Sequence, residues 1–342
     1  MPTLANDLVI VPEEFIPHVV EYSTKKSALV QSGIIEKDSA FDAKAKLGGI
    51  TVTMPFWNDI DNDSQVVDDT VDTTVYNIGQ SGDIAVKLMR ENAWGASDLS
   101  AALAGDDPVA RLASLIGNYW IRDDQRVLMN ILAGVFASNA ANNSSDLILD
   151  IAAATQAAAT SANMLTGTSF IDAKGKLGDA ADSLTACIMH SVPFSNLEKQ
   201  NMIEYVQVQN SDGTSSTITG GARAGVNAFP TFLGRRIIVD DTCPVTAITG
   251  GYKYTSYLFG AGAIAMGEGS PKVPMEIERT PKRGLTSIFY RRDYIMHPRG
   301  VKFTSNTITG ETPSNANLAL AANWLRVWEK KNIKIVKMVT NG

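Results

Sequence analysis

Apolar residues recur at three- and four-residue steps most clearly in GDDPVARLASLIGNYWIRDDQRVLMNILAGVFASN. There Leu112, Leu115, Ile116, Tyr119, Leu128, Ile131, Leu132 and Val135 share one stripe. Asp107 can cap a helix at its start, and Pro108 suits the first helical position, where no backbone donor is required. The spacing predicts a helix over 108–138, roughly 45 Å long at about 1.5 Å per residue. An ordinary helix has about 11 residues, so this one is a spine rather than a packing element.

Upstream, residues 1–49 mix apolar and polar positions without a self-contained apolar face, and Pro12 and Pro17 limit helix. This segment reads as an extended arm that finds its core elsewhere. ITVTMPFW (Ile50 to Trp57) and DIAVKLMR (Asp83 to Arg90) alternate as strands do. With the acidic stretch and the Gly79/Gly82 turn region between them, they predict a long two-stranded excursion. A lone hairpin is marginal in water, so the excursion is expected to lie on a neighbour.

Downstream, 139–168 is rich in Ala, Ser, Thr and Asn and predicts irregular or weakly helical chain. A helix follows at about Ser169 to Asp182, then the strand LTACIMH, a helix after Pro193, and strands at RRIIVDD and YTSYLFGAGAIAM. Strands alternating with helices predict an inserted α/β module, roughly 145–265. VPMEIERT, TSIFYRRDYIMHPRGVKF and NIKIVKMV read as strands of a separate sheet that closes around the spine. The expected fold class is α+β.

The 342 residues carry a formal charge of −6, which argues against a chain whose main work is gripping nucleic acid. The charge is uneven: residues 271–342 hold 13 basic and 5 acidic residues, which leaves about −14 on the rest. An acidic front and a basic tail suit copies that pack head against tail. Two separately solvated surfaces would give the same count. Two cysteines imply no disulfide framework and fit a reducing compartment. The start MPTLANDLVIVPEEF lacks the basic region of a secretory signal, and no apolar run approaches the ~20 residues needed to span a bilayer.

Candidate chemistry is sparse. Three histidines without His-Glu-x-x-His or Cys-x-x-Cys leave few metal ligands. GAGAIAMG has the wrong glycine spacing for a dinucleotide loop and reads as small residues in a packed strand. His190 followed by Ser191 lacks a nucleophile elbow and fits a strand end before a helix start. Arg279, Lys282, Arg283, Arg291 and Arg292 surround Phe289 and Tyr290, but alternation on a strand splits them between two faces.

The stretch FWNDIDNDSQVVDDTVDTT carries Asp59, Asp61, Asp63, Asp68, Asp69 and Asp72 without a lysine or arginine. Its first three aspartates fit the opening of an EF-hand loop, yet Ser64 replaces the turn glycine and Thr70 the bidentate glutamate. Strand-like flanks replace the required helices. No metal or cofactor is expected, although clustered carboxylates attract hard cations in any fold.

The order of segments, with ALVQSGII, ARLASLIGNYWIRDDQRVLMNILAGVFA, YIMHPRGVKF and ANLALAANWLRVWEKKNIKIVKM, resembles the major capsid proteins of tailed bacteriophages with the Hong Kong 97-type fold. The resemblance implies an N-terminal arm (1–49), an extended loop over an adjacent subunit (50–92), and a peripheral domain (93–144 and 269–342) carrying the spine. It implies an axial domain (145–268) at five- and six-fold centres. The implied function is an icosahedral shell of pentamers and hexamers that holds double-stranded DNA by weak non-specific contact. Location in the virion and assembly in the host cytoplasm follow, without a membrane.

Some relatives join a loop lysine to a neighbour's asparagine. No lysine lies between Thr51 and Val86, so no such bond is expected. The absence of a long charged helical segment before the arm implies a separate scaffolding protein, beside a portal and a possible decoration protein. The loop carboxylates are expected to face Arg279, Lys282 and Arg283 of another copy. Two rival readings are an encapsulin-like bacterial compartment and an α/β enzyme.

Overall fold

The computed structural model describes residues 34–46, 48–67, 69–70, 72–98, 108–207, 217–219, 228–308 and 310–341. Its described part corrects the expectation of a wholly extended arm: Ile35–Lys37 is a strand (β1) and Ser39–Lys46 a helix (α1). The cause is local. Asp38 accepts from the Ala40 amide at 2.9 Å, capping the helix, and Phe41 and Ala45, one turn apart, bury the same face. Residues 1–33, which carry the rest of that expectation, lie outside the described residues.

The two-stranded excursion is present as Thr51–Trp57 (β2) and Gln80–Ser97 (β3), paired antiparallel from Thr51↔Val86 to Trp57↔Gln80. β3 has 18 residues, about 60 Å at about 3.4 Å each. Only its first part pairs with β2. From Lys87 to Ser97 it runs along a core strand, Ile295 back to Leu285, so the ribbon is an outward extension of the core sheet. Val52 and Met54 pack at the ribbon base on Phe41, Ala45, Ala85, Ala265 and Ile295. Asp83, also at the base, is buried with Oδ2 2.9 Å from His297 Nε2, and it accepts from the Gly300 amide at 3.0 Å.

The spine is Pro108–Asn142 (α2), 35 residues and about 52 Å, four residues longer than its pattern. Ile116, Trp120, Leu128, Ile131, Leu132 and Val135 are buried. Leu115, which the stripe placed inside, is 57% exposed, because the buried line there runs through Ile116 and Trp120 at i and i+4.

The inserted module begins with Ile148–Asp150 (β4). The helix expected to Asp182 stops at Gly167–Gly175 (α3), and the chain continues as a 3-10 stretch over Gly178–Ser183. Gly175 and Gly178, the latter at φ +62°, explain the break. Leu184–Met189 (β5), Ser191–Lys199 (α4), Glu204–Gln207 (β6), Thr217–Thr219 (β7) and Ala228–Phe232 (β8) follow. Arg235–Val239 (β9), Val245–Ile248 (β10) and Gly251–Gly260 (β11) complete it.

The return comprises Ile264–Glu268 (β12), Met275–Thr280 (β13), Leu285–Pro298 (β14), Val301–Phe303 (β15), Asn315–Leu318 (α5), Trp324–Arg326 (β16), Lys330–Ile333 (α6) and Ile335–Asn341 (β17). One sheet has the order β1-β12-β14-β3-β2 with β13 also on β14. The other runs β4-β17-β11-β5-β9-β8-β6-β7 with β10 on β11, and β15 and β16 pair separately.

Two strand assignments are corrected by this topology. YTSYLFGAGAIAM is two strands in two different sheets, not one. The chain turns at Gly262 (φ +66°), and a Cβ on Gly260 would meet the Ser183 carbonyl oxygen at 2.6 Å. The glycines therefore serve a crossing between sheets. NIKIVKMV does not join β13 and β14: β17 lies in the module's sheet, antiparallel to β11 and parallel to β4. Six of its seven residues are buried, so it takes an interior place with partners on both edges.

The spine and the return are clamped at Gly134, where a Cβ would meet the Leu318 carbonyl oxygen at 2.1 Å. Trp324 Nε1 donates to that carbonyl at 2.7 Å, and Ser138 Oγ donates to the Trp324 carbonyl at 2.7 Å. Arg326 holds both Asp146 oxygens at 2.9 and 2.8 Å, with Asn139 donating to Asp146 at 2.7 Å.

Candidate assembly surface

Between the two ribbon strands, 58–79 is described without regular structure apart from the masked Asp68 and Val71. Asn58 donates to the Gly79 carbonyl at 2.9 Å, prolonging the ladder by one step. Further out, the Gln65 side chain imitates a paired backbone: its amide donates to the Thr74 carbonyl and accepts from the Thr74 amide, both at 2.8 Å. This clasp closes the tip. Trp57, Ile60, Val66, Val67, Val75, Tyr76 and Ile78 are all exposed, Val66 and Val67 at 93% and 97%. So dense a run of exposed large apolar side chains marks a contact surface.

The candidate carboxylates lie in the same stretch. Asp59, Asp61, Asp63, Asp69 and Asp72 are exposed, and Asp68 lies outside the described residues. Among the described residues, none of those five takes part in an ion pair. No three His, Cys, Asp or Glu side chains among the described residues gather to hold a metal.

The candidate cations are elsewhere. Arg279 ends β13 and is held within its own chain, donating to both Asp98 oxygens at 3.2 and 2.7 Å and to Thr286 Oγ1 at 3.1 Å. The hydrogen bonds from Arg279 hold the Asp98 carboxyl below its usual range. Lys282 and Arg283 occupy the 3-10 turn Pro281–Arg283, where Lys282 is exposed. The structure does not bring the loop carboxylates and these cations together within one chain.

The remaining basic residues of the return mostly meet upstream carboxylates. Arg291 pairs with Glu91 at 2.7 Å and Glu276 at 2.6 Å, and Arg299 pairs with Glu36 at 2.9 Å. On the opposite face Arg292 holds Asp124 at 2.9 Å and Glu268 at 3.1 Å over the Tyr294 ring. Burial opposes its charge, but the field of Asp124 and Glu268 outweighs burial and raises its pKa. The basic tail is thus largely neutralised inside the chain, and alternation splits Arg291 from Arg292.

His190 caps α4, its Nδ1 accepting from the Val192 amide at 3.2 Å. Ser191 Oγ lies 3.3 Å and Asp241 Oδ1 3.6 Å from that same nitrogen. A nucleophilic relay needs serine and carboxylate on different ring nitrogens, so this cluster is a helix cap. Both cysteines are buried, and burial pushes the Cys187 thiol up to about 12.

A family model described as major capsid protein 13-like (Gp13-like) matches residues 43–334. The chain belongs to this family. A curated relative, the major capsid protein of Bacillus phage SPP1, is 41% identical over 332 residues, 96% of this chain and 95% of that protein. Among solved structures, the capsid of Ralstonia phage GP4 aligns with TM-score 0.56 at 7% identity over 91% of this chain and 88% of that one. The Cyanophage Pam1 capsid aligns with TM-score 0.56 at 9% identity over 93% of each chain. These likenesses show the fold, the Hong Kong 97-type capsid fold in the α+β class. The Gp13-like chain is a structural protein that forms a phage capsid shell, not an enzyme. The encapsulin-like reading is not favoured.

Sequence reasoning found the loop carboxylates but missed the exposed apolar residues among them, the Gln65 clasp, and Asp98 as the partner of Arg279. Val66 and Val67 beside Val71 and Val75 were a visible signal, since valines in an irregular acidic segment have no core of their own.

Proposed function

We propose that copies of this major capsid protein close into an icosahedral shell of pentamers and hexamers around packaged double-stranded DNA. The excursion 50–92 lies over an adjacent copy. The observation that carries this reading is the loop of seven exposed large apolar side chains with carboxylates outside any ion pair of their own chain. Burying each such apolar side chain contributes about 1.5–3 kcal/mol, so covering Val66 and Val67 alone favours association by several kcal/mol. Such a contact is heterologous and generates rings when it closes.

The carboxylates select a basic acceptor, with Lys282 and Arg283 as candidates and Arg279 available through exchange of its Asp98 partner. Without a lysine from Thr51 to Val86 the loop holds by packing and charge, not by a covalent bond. In this reading 93–144 and 269–342 form the peripheral part and 145–268 the axial part, with β17 shared into the axial sheet. The net charge of −6 suits weak, non-specific contact with DNA. Assembly takes place in the host cytoplasm with a separate scaffolding protein and a portal, and a decoration protein can join the finished shell.

Electron microscopy of the full chain expressed with its scaffolding protein tests the reading. Closed shells are expected for the wild type, and Val66→Ser with Val67→Ser should yield folded subunits without shells. Normal shells from that variant would contradict the role given to the loop.

A further inference from the structure

At the ribbon base a groove of about 670 Å³ opens between β2 and the return, lined by Phe56, Trp57, Trp328, Glu36, Gly262 and Arg299 among others. The Phe56 and Trp328 rings meet edge to face at 6.1 Å, and Trp57 is exposed beside them. An apolar groove of this size exceeds what solvent alone would be expected to cover.

The described chain begins at this groove. β1 runs parallel to β12 with Ile35 opposite Ile264, and the Ile264 amide donates to the Ile34 carbonyl at 3.4 Å. Continued by two residues, that register sets Ser32 and Gly33 beside Ala261 and Gly262, both of which line the groove. Gly262 approaches so closely that a Cβ there would meet the Glu36 carboxylate at 2.7 Å. Leu29 is five residues before Ile34, within about 17 Å of it at full extension.

We propose that Ala28–Ser32 of the same chain fills this groove, with Leu29 and Val30 against Phe56, Trp57 and Trp328. Connectivity favours this occupant, because a short tether holds the segment at an effective concentration on the order of millimolar. The arm thereby braces the ribbon base, fixing the direction in which the loop leaves the subunit. The proposal concerns one chain and does not depend on the shell reading.

Cross-linking in the full chain tests it. Leu29→Cys is combined with Asn332→Cys on the groove wall, and Val67→Cys with Asn332→Cys serves as the comparison. A short bismaleimide and peptide mass spectrometry read the products, while Cys187 and Cys243 stay buried. The first pair should link within one chain in most molecules, and the second should not link. A link from Leu29 between chains, a link from Val67 to the groove, or no link from Leu29 would each overturn the proposal. As a second measurement, Leu29→Asp should increase acrylamide quenching of tryptophan emission about twofold, and unchanged quenching would also overturn it. Shell formation, scored separately, distinguishes failure of the shell reading from failure of this one.

Discussion

The C-terminal end of the spine and the tip of the ribbon treat their polar and apolar groups in opposite ways. At the spine, Gly134, Ser138 and Asn139 meet Leu318, Trp324 and Asp146 so closely that each buried donor finds an acceptor in the same chain. At the tip, valines and aspartates face solvent, and only Gln65 organises them. The first region is complete in the subunit. The second becomes complete only against another molecule, and the difference separates residues that fold the subunit from residues that assemble it.

The comparison is most severely challenged at the spine. Trp324→Ala removes a buried indole and its bond to Leu318, and should cost about 3–5 kcal/mol in denaturant unfolding. A loss below about 1 kcal/mol would show that the clamp does not hold the fold. Arg292→Met strands Asp124 and Glu268 and should cost about 3 kcal/mol in the same measurement. No loss there would undermine the claim that the basic tail is used inside the chain.

A smaller effect is expected from Asp146→Asn, about 1 kcal/mol at neutral pH. Burial opposes charge on Asp146, but hydrogen bonds from Arg326 and Asn139 prevail and hold its carboxyl below the usual value. Because the folded value is the lower one, the stabilisation is fully present above the ordinary carboxylate value of about 3.9. It is lost as pH falls through the folded value. Melting temperatures across pH 2–6 should therefore fall less steeply in the variant at about pH 4 and below. Parallel curves would refute the assignment.

At the tip, Val66→Ser with Val67→Ser should change subunit stability by no more than about 0.5 kcal/mol, because these side chains touch nothing in their own chain. A large loss would mean that the loop belongs to the fold.

Much of this organisation is legible in the sequence where a short period carries it. The spine shows through its 3.6-residue stripe and Pro108, and the ribbon through the alternation of ITVTMPFW and DIAVKLMR. Partner choice is not local, which is why β17 could be recognised as a strand without its place beside β11 and β4. The same limit hid the close approach at Gly134 and the crossing between sheets at Gly260–Ala263. At the loop the aspartates stood out by type, whereas the Gln65 clasp joins a side chain to backbone nine residues away and has no motif. Counting charge along the chain pointed to contacts between copies, yet pairs such as Arg291–Glu91 and Arg299–Glu36 close inside one copy.

The most direct test is the salt dependence of assembly, measured by light scattering on wild type and on a variant with Asp68→Asn, Asp69→Asn and Asp72→Asn. With subunit melting unchanged, the variant should assemble less readily at low salt and respond less to added salt, because its screened attraction is gone. Assembly curves identical to wild type across the salt range would contradict the claim that this loop meets a basic surface of another copy.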